Sequence, residues 1–246
     1  MTMVSGKLKA NIHSVETAGM VDGPGIRYII FFQGCSLRCK YCHNPDTWKL
    51  GGGREMTIAE LLTDVKKYRS YLRFSGGGVT ITGGEPFVQA EFLISFLRAL
   101  KEQNIHTAID TSGFAGEQNA RAVLEHTDLM LLDLKSIDPK TYQHVAGVPI
   151  APTLRTLEIA KEMGIATWIR FVLVPGLTDN FDHLIQMRKY LDDFDNIEKI
   201  EVMPFHKMGE YKWADLGMDY ELTDTPPPER AELERARVLM RDWRTI

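Results

Sequence analysis

Cys35-Ser-Leu-Arg-Cys39-Lys-Tyr-Cys42 gathers all three cysteines of a 246-residue chain into one loop. Soft thiolates select zinc, copper(I) or iron–sulfur clusters. A structural zinc site closes with four protein ligands. The one neighbour able to be the fourth, His43, directly follows Cys42 and has difficulty turning onto the same ion. Three cysteines can instead hold a four-iron cluster with one iron left open to a substrate or cofactor. Ordinary buried thiols are the plain alternative, but they suit a polar loop carrying Arg38 and Lys40 less well. The loop therefore favours a cluster, with a zinc knuckle as the second reading.

The rest of the composition narrows the class. With 44% hydrophobic and 25% charged residues the chain reads as a soluble globular protein, and its length allows one large domain or two small ones. A net charge of −4 argues against general nucleic-acid binding, which wants a concentrated basic surface. No run approaches the ~18 apolar residues of a membrane span. The start Met1-Thr-Met-Val-Ser-Gly-Lys7 lacks the apolar stretch of a signal peptide. Clustered thiols without a disulfide framework fit a reducing compartment, so the expected location is cytoplasmic.

Upstream of the loop, Arg27-Tyr-Ile-Ile-Phe-Phe-Gln33 is β-branched and aromatic, as in a strand buried on both faces. Before it, Val4, Leu8, Ile12 and Val15 alternate loosely and meet the turn Asp22-Gly-Pro-Gly25. Residues 1–25 are expected to form a short strand pair or covering loop. Downstream, Thr57 can cap a helix with apolar positions Ile58, Leu61, Leu62, Val65, Tyr68 and Leu72. A strand then enters the turn Gly83-Gly84-Glu85, and a helix follows on Phe92, Leu93, Phe96, Leu97 and Leu100.

The pattern continues with strands at 105–110, 129–134, 167–174 and 197–203. Helices are expected near 117–126, 153–163 and 181–193, and a C-terminal helix over about 227–243. Alternating strands and helices imply parallel βαβ units. Six units are too few for a closed eight-fold barrel. The expected fold is α/β, a partial open (β/α)6 TIM-like barrel spanning residues 1–246 as a single domain, with no linker, low-complexity tract or repeat to divide it.

In such folds chemistry gathers at the C-terminal ends of strands. Thr82-Gly83-Gly84-Glu85-Pro86, Asp110-Thr111, Asp133-Leu134-Lys135, Arg170 and His206 all fall at or near such ends. Each has a bland reading taken alone: Gly-Gly-Glu-Pro is good turn chemistry, a strand-end Asp is usually a cap, and a lone His is usually structural. Only their convergence over the cysteine loop lifts them above that.

The C-x3-C-x2-C spacing with Tyr41 before the last cysteine resembles the signature of the radical S-adenosylmethionine (SAM) enzymes. Further segments extend the likeness along the chain: Asp22-Gly-Pro-Gly-Ile-Arg27, Phe31-Phe-Gln-Gly-Cys35, Tyr41-Cys-His-Asn44, Asp46-Thr-Trp48, Ser75-Gly-Gly-Gly78, Leu132-Asp-Leu-Lys135, Trp168-Ile-Arg170 and Val174-Pro-Gly176. Together they resemble the radical SAM activases of glycyl-radical enzymes, in the branch that serves pyruvate formate-lyase. The chain lacks the cysteine-rich ferredoxin-like insertion that other glycyl-radical activases often carry.

The resemblance implies a set of roles. Cys35, Cys39 and Cys42 ligate a [4Fe–4S] cluster, and Tyr41, Cys42, His43, Gly84, Asp133, Leu134, Lys135 and His206 surround SAM. The backbone and acidic side chain of the Gly83-Gly84-Glu85 turn receive the amino group of SAM. Asp110, Thr111, the Leu131 carbonyl and Asp133 hold a monovalent cation, and Asp22 grips the incoming glycine loop. Reduced flavodoxin is the implied electron donor, and SAM cleaves to a 5′-deoxyadenosyl radical that takes the α-hydrogen of one glycine in the partner. No residue acts as acid or base, no nucleic acid or membrane is involved, and a monomer is expected. The alternatives are a radical SAM enzyme acting on another glycyl-radical enzyme or on a small molecule, and, outside enzymes, a zinc-binding adaptor.

Overall fold

The computed structural model describes residues 8–241. Its eight strands are β1 (Lys9–Gly19), β2 (Arg27–Phe32), β3 (Arg54–Thr57), β4 (Gly78–Gly83), β5 (His106–Thr111), β6 (Leu129–Asp133), β7 (Ala166–Leu173) and β8 (Ile197–Pro204). They form one sheet in the order β3-β1-β2-β4-β5-β6-β7-β8, with β3 and β8 as free edges. From β2 to β8 every pairing is parallel. That leaves six parallel strands connected through helices, the expected open (β/α)6 arrangement. Among the described residues no helix is long and apolar enough to cross a membrane.

The helices are α1 (Ile58–Ser75), α2 (Ala90–Lys101), α3 (Glu117–Leu124), α4 (Pro139–Ala146), α5 (Ala151–Glu162), α6 (Phe181–Leu191), α7 (Glu210–Asp215) and α8 (Arg230–Met240). Local chemistry sets their ends. In α1 the Thr57 hydroxyl accepts from the Glu60 N–H at 3.2 Å while the Glu60 carboxylate accepts from the Thr57 N–H at 2.8 Å. This reciprocal cap is worth about 1 kcal/mol. Its stripe Ile58, Leu61, Val65 and Leu72 is buried.

Strand residues divide between two environments. Tyr28, Ile30, Phe32, Val79, Ile81, Ile109, Met130 and Leu132 join the main core with Phe92 and Phe96 of α2. On the other face Ala108, Leu129 and Leu131 form a small separate apolar cluster flanked by Trp168. Polar residues share that second face: Thr80 and Thr82 in β4, Asp110 in β5 and Arg170 in β7.

Elements β1, β3, α4 and α7 differ from expectation. The N-terminal segment is an 11-residue strand, antiparallel to both β2 and β3, which extends the sheet; Val4 lies outside the described residues. Helices α4 and α7 were not expected. The C-terminal helix falls inside the anticipated span, of which residues 242–243 lie outside those described.

Candidate active site

The cysteine loop follows β2 and is braced from three sides. The Gly34 and Cys35 N–H groups donate to the carbonyls of Thr47 and Trp48 at 2.7 and 3.3 Å. The Arg38 and Lys40 N–H groups donate to Ala146 and Val145 at 2.9 and 3.0 Å, using carbonyls that the end of α4 leaves unpaired. From α7, the Trp213 Nε1–H donates to the Cys42 carbonyl at 2.9 Å, and its ring meets Trp48 edge-on at 5.0 Å. The two unexpected helices thus form the loop's scaffold.

Cys35 and Cys39 are buried and Cys42 is half-buried, all three free of disulfides. Burial pushes the Cys35 and Cys39 thiols up to about 12 and raises Cys42 as well. Three thiolates in this place need the positive charge of a metal to exist at neutral pH. A polynuclear group, in which each thiolate meets a different metal atom, suits the loop better than zinc.

Opposite the loop, Gly84 makes a close approach. A Cβ there would fall 2.1 Å from the Gly34 carbonyl oxygen and 3.2 Å from the Cys35 Cβ, so a side chain would drive the two loops apart. The Glu85 N–H closes the contact by donating to the Gly34 carbonyl at 2.8 Å.

The Glu85 side chain points elsewhere. It accepts from the Thr111 hydroxyl at 2.6 Å, the Ser112 hydroxyl at 2.5 Å, the Ser112 N–H at 3.0 Å and the Phe87 N–H at 3.2 Å. It lines the cavity but is buried, and these four hydrogen bonds clamp the β4 turn to the end of β5.

Between these loops lies a cavity of about 310 Å³. Its lining takes in Cys35, Cys39, Cys42, Tyr41, His43, Gly84, Asp110, Thr111, Asp133, Lys135, Arg170 and His206. Lys135 is paired with Asp133 and stands 5.4 Å over the Tyr41 ring. Burial alone would lower its ammonium, but Asp133 with the Cys39 thiol and Tyr41 outweighs that and holds it well above the ordinary lysine value. The His43 and His206 rings stack at 4.3 Å, and His43 Nε2 contacts the His206 carbonyl at 3.0 Å.

Two buried polar atoms of the lining have no hydrogen-bond partner, Tyr41 Oη and Asp133 Oδ1, while Arg170 Nε makes no hydrogen bond and lies 3.7 Å from the Glu201 carboxylate. Orphaned groups of this kind call for a polar ligand. A wall offering an ammonium, a carboxylate and a phenol without a hydrogen-bond partner beside thiols fits a ligand carrying its own amino and carboxylate groups.

Three expected residues lie off the lining. Leu134 is fully buried, and its N–H donates to the Arg170 carbonyl at 2.9 Å. Leu131 packs with Ala108 and Leu129 below the cavity. Asp22 sits on Arg170 Nη1 at 3.4 Å, and the same nitrogen donates to Asp110 at 3.0 Å. Of the residues anticipated around a cation, Asp110 accepts from Arg170, Thr111 gives its hydroxyl hydrogen to Glu85 while accepting from the Gly113 N–H at 2.9 Å, and Asp133 keeps Oδ1 without a hydrogen bond.

A family model described as the Radical SAM superfamily matches residues 29–188, which sets the class of the site. The chain is 44% identical, over 94% of its length and 95% of theirs, to the pyruvate formate-lyase 1-activating enzyme of Escherichia coli strain K12. It is 43% identical, over 98% of its length and 99% of theirs, to the pyruvate formate-lyase-activating enzyme of Clostridium pasteurianum. A crystal structure of a domain of the pyruvate-formate lyase-activating enzyme from Bacteroides vulgatus aligns with a TM-score of 0.57 at 26% identity, covering 67% of this chain and 93% of that one. The chain therefore belongs to the pyruvate formate-lyase-activating enzymes of the radical SAM superfamily. Its cofactors are a [4Fe–4S] cluster and SAM, and the thiols and orphaned polar atoms of the cavity fit them.

Proposed function

We propose that this chain activates pyruvate formate-lyase by installing a radical on one of its glycines. The observation that carries the reading is the meeting of three free thiols and the Asp133–Lys135 pair on one cavity, in a chain 44% identical to an enzyme of that name. When bound, the cluster and SAM supply hydrogen-atom abstraction through one-electron cleavage of SAM.

The chain's own residues hold and orient. Cys35, Cys39 and Cys42 would hold the cluster. Tyr41, His43, Gly84, Asp133, Lys135 and His206 surround SAM, with the Lys135 ammonium offsetting its carboxylate and the backbone at Gly84 meeting its amino group. Asp22 anchors the substrate segment. No acid or base is required, so the protein contributes alignment and exclusion of water. Glycine suits the reaction because no Cβ blocks approach and both flanking amides stabilise an α-radical. Reduced flavodoxin supplies the electron, a reading supported by the exposed Arg38 within the cluster loop, which can receive an acidic carrier.

Anaerobic reconstitution with iron and sulfide, followed by SAM, a low-potential reductant and inactive pyruvate formate-lyase, tests the assignment. The expected result is a gain of formate-lyase activity with stoichiometric 5′-deoxyadenosine. Deoxyadenosine release without that gain would assign the chain to a different substrate.

A further inference from the structure

Arg27, at the start of β2, heads the largest fully buried side chains of the protein. Among the described residues no carboxylate pairs with it, which is a costly way to bury a guanidinium. Neutral partners hold it instead: Nε donates to the Thr80 hydroxyl at 2.9 Å, Nη2 to the Val79 carbonyl at 2.6 Å, and Nη1 lies 3.2 Å from His106 Nδ1. Having accepted from Arg27, the Thr80 hydroxyl donates onward to the Asp22 carbonyl at 2.7 Å.

The next residue lies against the guanidinium itself. Gly23 has φ +123°, and a Cβ on it would sit 3.3 Å from Arg27 Nε. The Asp22 side chain meanwhile reaches Arg170, which reaches Asp110 in the cavity lining. A continuous relay thus runs from a buried cation at the foot of the barrel, through Thr80 and the Asp22 turn, to the wall of the cavity.

We propose that Arg27 and Thr80 are positioning residues for the substrate side of the reaction, fixing the Asp22 turn so that its carboxylate meets the incoming glycine segment. This rests on Asp22 being the anchor of that segment. A relay that only stiffened the barrel would show in stability alone; one that sets Asp22 shows in peptide affinity.

The test uses holoenzyme with SAM and a synthetic peptide spanning the radical glycine of pyruvate formate-lyase, with Kd read by titration calorimetry. Thr80→Val keeps the side chain's shape and removes the relay hydroxyl. It is expected to weaken peptide binding by about fivefold to tenfold, the effect of one lost hydrogen bond. Thr80→Ser is expected to restore it, with iron content and peptide-independent SAM cleavage at the wild-type level. Because Thr80 acts through Asp22, Thr80→Val combined with Asp22→Ala should bind no worse than Asp22→Ala alone.

An unchanged Kd in Thr80→Val, or additive losses in the double variant, overturns the proposal while Asp22 keeps its role. An unchanged Kd in Asp22→Ala overturns both. If Thr80→Val does not fold, Arg27→Lys enters the same cycle with the same expectations.

Discussion

The indole of Trp213 donates to the carbonyl of Cys42 at 2.9 Å, tying α7 to the last cysteine of the cluster loop. Trp213 is buried and also meets Trp48 and Tyr220 at 5.0 and 5.2 Å. Trp213→Phe keeps an aromatic ring and removes the donor, at a cost of about 1–2 kcal/mol. In a chain of this size that lowers Tm by roughly 2–8 °C. The reconstituted variant should lose its cluster faster to a chelator, followed as decay of the iron–sulfur absorbance.

Lys135 and Asp133 form a charge pair in which the lysine is almost fully buried. Removing one partner strands the other, and breaking such pairs costs about 3–5 kcal/mol. Lys135→Met should therefore destabilise the protein by about 3 kcal/mol and abolish measurable SAM binding. Asp133→Asn/Lys135→Met, with no stranded charge, should recover part of the stability but none of the SAM affinity. Urea unfolding and equilibrium dialysis read the two effects separately.

Glu85 accepts hydrogen bonds from Thr111, Ser112 and Phe87. Glu85→Gln turns one acceptor oxygen into a donor facing donors and should cost about 1–3 kcal/mol. A direct contact with SAM would make the variant's main defect a loss of SAM affinity at unchanged stability; the clamp role makes it a loss of stability, read by denaturant titration.

At the protein surface Arg155 and then Arg121 hold the Glu117 carboxylate down to about 2 from its ordinary 4.5. A depressed carboxylate contributes stability above its unfolded value and loses it as pH falls through the folded one. The difference in Tm between wild type and Glu117→Gln should therefore be constant above pH 4.5 and shrink toward pH 2. Melting curves across that range check it, and a constant difference throughout would contradict the assignment.

The barrel was legible because apolar periodicity alternates between strand and helix six times, and because buried parallel strands read as continuous runs. α7 escaped notice because it is six residues long with one buried side chain, Trp213, which leaves no stripe to detect. α4 carried signals that could have found it: Asp138 as cap, accepting from the Thr141 N–H at 2.7 Å, Pro139 in the first turn and Gly147 at the end. β1 takes its length from pairing with two strands, β2, which follows it in the chain, and β3, which is distant in sequence.

In the site, the motifs placed Cys35, Gly84, Asp133 and Lys135 on the cavity wall, since strand ends converge whatever the side chains do. Side-chain direction was not legible. Glu85 turns toward Ser112, and Arg170 takes Asp110, because those partners come together only in the folded sheet.

The most direct test is an electron paramagnetic resonance spectrum of pyruvate formate-lyase after anaerobic incubation with the reconstituted protein, SAM and reductant. The account predicts a glycyl-radical doublet that is absent when Cys39→Ser replaces the wild-type chain. A reconstituted, SAM-cleaving protein that yields no doublet on pyruvate formate-lyase would contradict it.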